Sequence, residues 1–291
     1  EVDHSKDDET QVPYVIGVVT MALVLSTAAV GLRLLTRIRI LHTFGPDDAF
    51  MAVAQLLTIG SAISIYAECQ HGMGRHFWLM RDGEYIPYMK SFYTSIILYN
   101  LGLCVVKMSI LLQYRRIFTY TLVQHLTAIG LVFEGCWTIT LSLVLPLSCI
   151  PAAAFWDPSV QGRCIDSLTI WYVMAAVNLV TDFLTFSMPM PVIKSLQLPS
   201  RQKVMLTVVF CLGFFTCIIS VYRITTLKTA AASSDPTWDN TSAAIWSLLE
   251  LCIGVLAACL PTLKPLFAML LPRLFKSTTS GRRSRPSKYG M

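Results

Sequence analysis

An all-α bundle of seven transmembrane helices is the fold class this sequence predicts, and three observations predict it. Hydrophobic residues make up 54% of the chain and charged ones only 14%, far below the roughly one quarter usual in soluble domains; the mean hydropathy of +0.59 agrees. Seven apolar segments each exceed the roughly 20 residues that a helix needs to cross the hydrocarbon. Basic residues then gather in every second connection, as they do in membrane proteins of fixed orientation. The net charge of +6 sits at helix ends and in the tail, so it marks the lipid bilayer as partner and gives no sign of nucleic acid.

Residues 1–11 are acidic and polar and are expected outside the cell. They hold no signal-peptide pattern, and a chain starting at Glu1 rather than Met is expected to be a trimmed form. The membrane domain is expected over residues 12–267, with spans Val12–Leu35, Asp48–Cys69, Tyr88–Gln113, Leu122–Ser148, Leu168–Ile193, Val204–Leu227 and Ser242–Phe267. The third organises the rest. It opens on an aromatic end at Tyr88, runs apolar around a lone Lys107, and stops on the pair Arg115-Arg116. Residues 268–291 form a basic tail whose Ser/Arg-rich composition predicts disorder.

Arg33, Arg37 and Arg39 lie in the first connection, Arg115 and Arg116 in the third, and Lys194, Arg201 and Lys203 in the fifth. The tail adds Arg273, Lys276 and several more. The alternate connections balance their few cations with acids, as in Arg81-Asp82-Gly83-Glu84. The N-terminus is therefore expected outside and the tail in the cytoplasm. Asn240-Thr241-Ser242 is a glycosylation acceptor on the expected outer side; a chance match so near a helix is the alternative. Six of the nine cysteines fall within spans, where small buried thiols are the ordinary reading. Cys69, Cys149 and Cys164 are expected at the oxidising outer face. The expected disulfide is Cys149–Cys164, leaving Cys69 free; three unpaired thiols are the alternative.

Several pieces occur together in order. They are Phe44-Gly45-Pro46-Asp47-Asp48; Gly72-Met73-Gly74-Arg75-His76; and Lys107-Met108-Ser109-Ile110-Leu111-Leu112 running into Tyr114-Arg115-Arg116-Ile117-Phe118. After them come Cys149, Trp156 and Gly162-Arg163-Cys164, then Pro189-Met190-Pro191, and last Leu260-Pro261 with Pro265. In this the chain resembles the fungal rhodopsin-domain integral membrane proteins, which include receptor-like pathogenicity proteins and satratoxin-cluster type proteins. The resemblance implies a receptor-like or a secondary-metabolite role. Many receptor-like members carry a cysteine-rich domain before the first helix; the dozen polar residues here favour the shorter, cluster-associated branch. Retinal is not implied, because its Schiff base needs a lysine in the middle of helix seven, where this chain has Glu250. No cofactor is expected.

Ionisable residues at membrane depth are costly and mark sites that need a named partner. Lys107 lies about 12 Å, or two turns, from Arg115 and is expected to snorkel to Asp47 and Asp48. That trio reads as a structural pair tying helices two and three, or as a cytoplasmic switch. Arg223 and Glu250 fall at similar depth on antiparallel neighbours and are expected to pair. Glu68, Glu134, Asp182 and Glu250 against one arginine leave acids without cations, and Glu134, Asp182 and Glu250 are the candidate proton donors. A ligand site is expected from Glu68, His71, His76, Arg223, Glu250 and Trp156. Glu68, His71 and His76 are too irregularly spaced for a metal site, and none is expected. Most of the aromatic residues at the outer interface belong to the membrane belt.

Two function classes are carried forward. The first is a receptor-like sensor of an apolar or amphipathic, lipophilic small molecule, with a cytoplasmic signalling partner. The second is a membrane-embedded biosynthetic enzyme, an acid-catalysed cyclase or isomerase of a lipophilic intermediate. A transporter is disfavoured, since no internal repeat is present.

Overall fold

The first helix has a proline, Pro13, in its first turn and runs past its own hydrogen-bonding pattern before it stops. In the computed structural model, which describes residues 7–188, 200–233 and 235–270, α1 covers Val12–Leu35 and continues as a single π-turn, Thr36–Ile40. Its inward stripe of Val15, Val19, Ala22, Ser26, Val30 and Arg33 recurs every three or four residues, the spacing of one helix face. Pro189-Met190-Pro191, Lys194, the side chains of Arg201 and Lys203, and the basic tail lie outside the described residues.

Gly45 caps α2 (Pro46–Gln70), with Asp47 and Asp48 in the first turn, where the helix dipole favours negative charge. A Cβ on Gly45 would stand 2.7 Å from the Arg116 guanidinium and from Asp47 Oδ1, so a side chain here would displace both ends of that ion pair. At the other end Gly72 and Gly74 take positive φ, 115° and 82°, open chiefly to glycine. The turn they make receives Gln11 N–H on the Gly74 carbonyl (2.8 Å) and gives Gly74 N–H to Thr237 O (3.1 Å). Backbone alone thus binds the start of α1, the end of α2 and the start of α7.

The remaining helices are α3 (Tyr85–Ile117), α4 (Thr121–Val144), α5 (Ser167–Ser187), α6 (Ser200–Ala232) and α7 (Pro236–Leu270). Between α4 and α5 the two-residue strands Cys149–Ile150 and Arg163–Cys164 pair antiparallel, and the Cys149–Cys164 disulfide joins them. Asp166 caps α5 by accepting from the Thr169 hydroxyl (2.5 Å) and amide (3.3 Å), which hold its carboxyl below the usual range. Several helices run longer than their apolar segments. α7 starts six residues earlier than expected because its first turns, Pro236 to Thr241, are polar yet helical. Hydropathy locates hydrocarbon and not helix ends.

Among the described residues six helices are long and apolar enough to cross a bilayer, and in α6 the apolar run covers Cys211–Thr226. α3 and α7 are the most buried spans and α4 the least. α3 packs on α2, α4, α5 and α7, and α7 packs on α1, α2, α3 and α6, so these two make the centre of the bundle. Outward side chains such as Leu56, Ile63, Ile129 and Val132 are exposed and apolar, as a lipid-facing surface requires.

Helix approach at this centre depends on a small residue: a Cβ on Gly102 of α3 would lie 3.0 Å from Leu251 Cδ2 of α7. Gly102→Leu should overpack the contact by about 1–3 kcal/mol and lower the melting temperature of the purified protein. Gly17→Leu, where a Cβ meets nothing within 4 Å, should leave it unchanged. Equal melting curves for the two variants would refute close packing of α3 on α7.

Candidate functional site

Two polar assemblies lie inside the bundle, one at the end carrying Arg33 and one near the middle. At the first, Arg33 is fully buried. Its Nε donates to Asp48 Oδ1 (2.9 Å), its Nη2 to Asp47 Oδ2 (2.9 Å), and its Nη1 to Gln113 Oε1 and the Ala258 carbonyl (2.8 Å each). Arg116 adds a bond to Asp47 Oδ1 (3.0 Å), and Arg37 approaches both aspartates at 3.6–3.7 Å. One guanidinium therefore joins α1, α2, α3 and α7.

This corrects the expected partner of Lys107. Besides Gln113 and Arg116, the α3 residue that meets this cluster is Ser109, giving its hydroxyl to Asp47 O (2.7 Å). Lys107, two residues earlier, points about 200° away around the helix and reaches α5. There its ammonium lies 3.1 Å from Asp182 Oδ1 and donates to Asn178 Oδ1 (2.7 Å), Asn178 O (3.0 Å) and Thr181 Oγ1 (2.5 Å). The acids of helix two take arginine instead, whose planar fork serves two adjacent carboxylates at once.

From Lys107 the network continues. Asn178 Nδ2 donates to Glu250 Oε1 (2.7 Å), and the Ser220 hydroxyl donates to the same oxygen. Tyr99 OH donates to Glu250 Oε2 (2.5 Å), and Arg223 Nε lies 3.3 Å from that oxygen, its guanidinium 4.9 Å over the Tyr99 ring. Asp182 and Glu250 are thus matched by Lys107 and Arg223, the arrangement that offsets burial of all four charges. Glu68 and Glu134 are different. Their carboxyl oxygens are buried with no hydrogen-bond partner in the structure. Ser95, beside Glu68, gives its hydroxyl to Phe92 O instead (2.9 Å).

Above the network a cavity of about 70 Å³ opens toward the disulfide end, walled by Ile65, Phe92, Tyr99, Trp171 and Met174, with Arg223 among its lining residues. Of the residues expected to bind ligand, Arg223 lines it and Glu250 lies directly behind Tyr99 and Arg223. Glu68, His71, His76 and Trp156 are not among its lining residues. His76 is sandwiched between Trp78 and Trp238 at 4.4 and 4.3 Å and bonds Asp235 through Nδ1 (2.6 Å). His71 terminates α2. Trp156 lies in the disulfide loop, 5.4 Å from Tyr93 and under the Lys90 ammonium. Among the described residues no three metal-ligating side chains cluster. Asn240 sits inside α7, only 7% exposed, its amide donating to Tyr88 OH (3.2 Å).

Sequence reasoning passed over Arg33, Tyr99 and Ser220. A signal existed, because polar residues recur at helical spacing: Ser95, Tyr99 and Lys107 on α3, Asn178 and Asp182 on α5, Ser220 and Arg223 on α6.

Residues 32–269 match the family described as "Fungal rhodopsin domain". Similar proteins include a SAT4 family membrane protein of Emericella nidulans, 31% identical over 236 residues, covering 77% of this chain and 59% of that protein. A satratoxin biosynthesis SC1 cluster protein of Stachybotrys chartarum is 29% identical over 62% of this chain and 65% of its own length. The receptor GIN3 of Arthrobotrys oligospora is 25% identical over 96% of this chain and 68% of its own length. The chain spans about 59% of the first of these relatives.

Lys107→Met would leave Asp182 buried without its cation, a loss of about 3–5 kcal/mol. The folded yield from membranes should fall sharply. Adding Asp182→Asn should recover most of it; a double variant as poor as the single one would show that the two do not act as a pair.

Proposed function

The chain belongs to the fungal rhodopsin-domain family of multi-pass membrane proteins, and from that premise we propose that it is a receptor-like sensor of an apolar or amphipathic small molecule. One observation carries the reading: an apolar and aromatic cavity rests directly on a buried ion network. The disulfide end is taken as the outer side, from the distribution of basic residues. A molecule entering there meets Tyr99 and Arg223, both in contact with Glu250.

The same helices then lead to the opposite end. α3 carries Tyr99 at the cavity and Gln113 on Arg33, about 21 Å apart. α7 carries Glu250 and, about 12 Å further, the Ala258 carbonyl that accepts from Arg33. A ligand that moves Glu250 relative to Tyr99 shifts α3 against α7, and the Arg33 cluster at the cytoplasmic face joins both helices. That cluster, with Arg116 at its rim, is where a cytoplasmic partner would read the change. A Schiff base of the retinal kind to α7 is no part of this reading, since α7 has no lysine from Pro236 to Leu263.

The second reading, an acid-catalysed biosynthetic enzyme, draws on the unpartnered carboxyls of Glu68 and Glu134 and on relatives named for biosynthetic clusters. It is the weaker one, because neither carboxyl lines the cavity. Asp182 and Glu250, its other candidate acids, are occupied by Lys107 and Arg223.

A deletion strain separates the two. Loss of a response to a surface or host with unchanged metabolites supports the sensor; one arrested pathway with an accumulated lipophilic precursor supports the enzyme. In the same strain Glu250→Gln should insert into the membrane normally and fail to restore the response. Full complementation by this variant would remove the cavity and its network from the function.

A further inference from the structure

Resting on the sensor reading above, we infer that the cavity is built for a carboxylic acid: a lipophilic monoanion whose headgroup is held by Arg223. Polar groups line the cavity, but most of their hydrogen bonds are already spent. Ser95 donates to Phe92 O, Asn100 to Ile96 O, Ser247 to Ala243 O and Asn240 to Tyr88 OH. Ser61, a lining hydroxyl, and Arg223 are the exceptions, and Arg223 alone of the two carries charge. Its Nε and Nη2 are buried with no hydrogen-bond partner, although the guanidinium lies against Glu250 and over Tyr99. Those two nitrogens are closed to the cavity as the side chain stands, so a turn of the guanidinium is what brings them to an acceptor that the protein itself does not supply.

Glu250 does not depend on Arg223 alone. Its two oxygens already accept from Asn178, Ser220 and Tyr99, so the arginine can turn one edge to a ligand without orphaning the carboxylate. The fork geometry of guanidinium suits a planar carboxylate. A single cation that already shares its charge with Glu250 suits a monoanion rather than a phosphate dianion. At about 70 Å³ the cavity seats the headgroup end, and the hydrocarbon or aromatic body lies along Ile65, Phe92, Trp171 and Met174 and out through the opening.

The test uses the chain in phosphatidylcholine nanodiscs with two matched pairs: decanoic acid against 1-decanol, and 4-phenylbutanoic acid against 4-phenyl-1-butanol. Apparent affinities are read from thermal-shift titrations. At least one acid should bind about tenfold or more tightly than its alcohol, as expected for a hydrogen bond to a charged group. Arg223→Gln should shrink that gap to within about twofold by weakening the acid alone, and Arg223→Lys should retain part of it. A larger gap for the decanoic pair marks a ligand drawn from the bilayer, and for the phenyl pair one drawn from water. Acid and alcohol binding alike to the wild type would overturn the headgroup assignment while leaving an amphiphile cavity intact. Binding of none of the four probes would overturn the cavity as a ligand site as well. A gap that survives Arg223→Gln would also reject the assignment, and if that variant does not fold, the wild-type comparison decides.

Discussion

Arg33 is fully buried on α1, and three other helices converge to supply its acceptors. In lipid the gain from burying apolar surface is small between helices, because the surroundings are equally apolar. Directional contacts therefore carry much of the specificity. The two aspartates at the foot of α2, a glutamine on α3 and a carbonyl of α7 sit where the guanidinium fork needs them. Gly45 leaves the space through which Arg116 completes the cluster. The register of α1, α2, α3 and α7 at this end follows from one side chain.

The central network obeys the same rule with different parts. Lys107 and Asp182 meet between α3 and α5, Arg223 and Glu250 between α6 and α7, and Asn178 and Ser220 bridge the two pairs. Beside the cavity above, this economy is incomplete, since Arg223 Nε and Nη2 have no hydrogen-bond partner although the guanidinium is ion-paired with Glu250. Glu68 and Glu134, each away from the cavity wall, also have carboxyl oxygens without a hydrogen-bond partner, although Glu134 faces the charge of Lys107.

The coarse architecture was legible because the bilayer imposes it: long apolar runs, basic alternate connections and two cysteines flanking one loop have few other readings. The placing of Arg223 opposite Glu250 used only antiparallel neighbours and the rise per residue, and in the structure they lie 3.3 Å apart. Lys107 went astray because depth was considered and helix face was not; Ser109 and Lys107 differ by two residues and so look in opposite directions. Arg33 was read as an orientation signal, which it resembles in every respect except the face it occupies. Asn240 matches a modification pattern that contains no information about burial, and its place inside α7 came from polar turns that hydropathy does not register as helix.

The pairing of charges at the bundle centre has an electrical consequence. Lys107 with Asp182 and Arg223 with Glu250 cancel charge for charge. A pair that shifts as one neutral unit carries no net charge along the membrane normal. A transmembrane voltage does work of about 2.3 kcal/mol per elementary charge per 100 mV only on charge that crosses the field. The setting of this network is therefore insulated from the membrane potential, and a cell that depolarises or hyperpolarises leaves it where the chemistry in the cavity has put it.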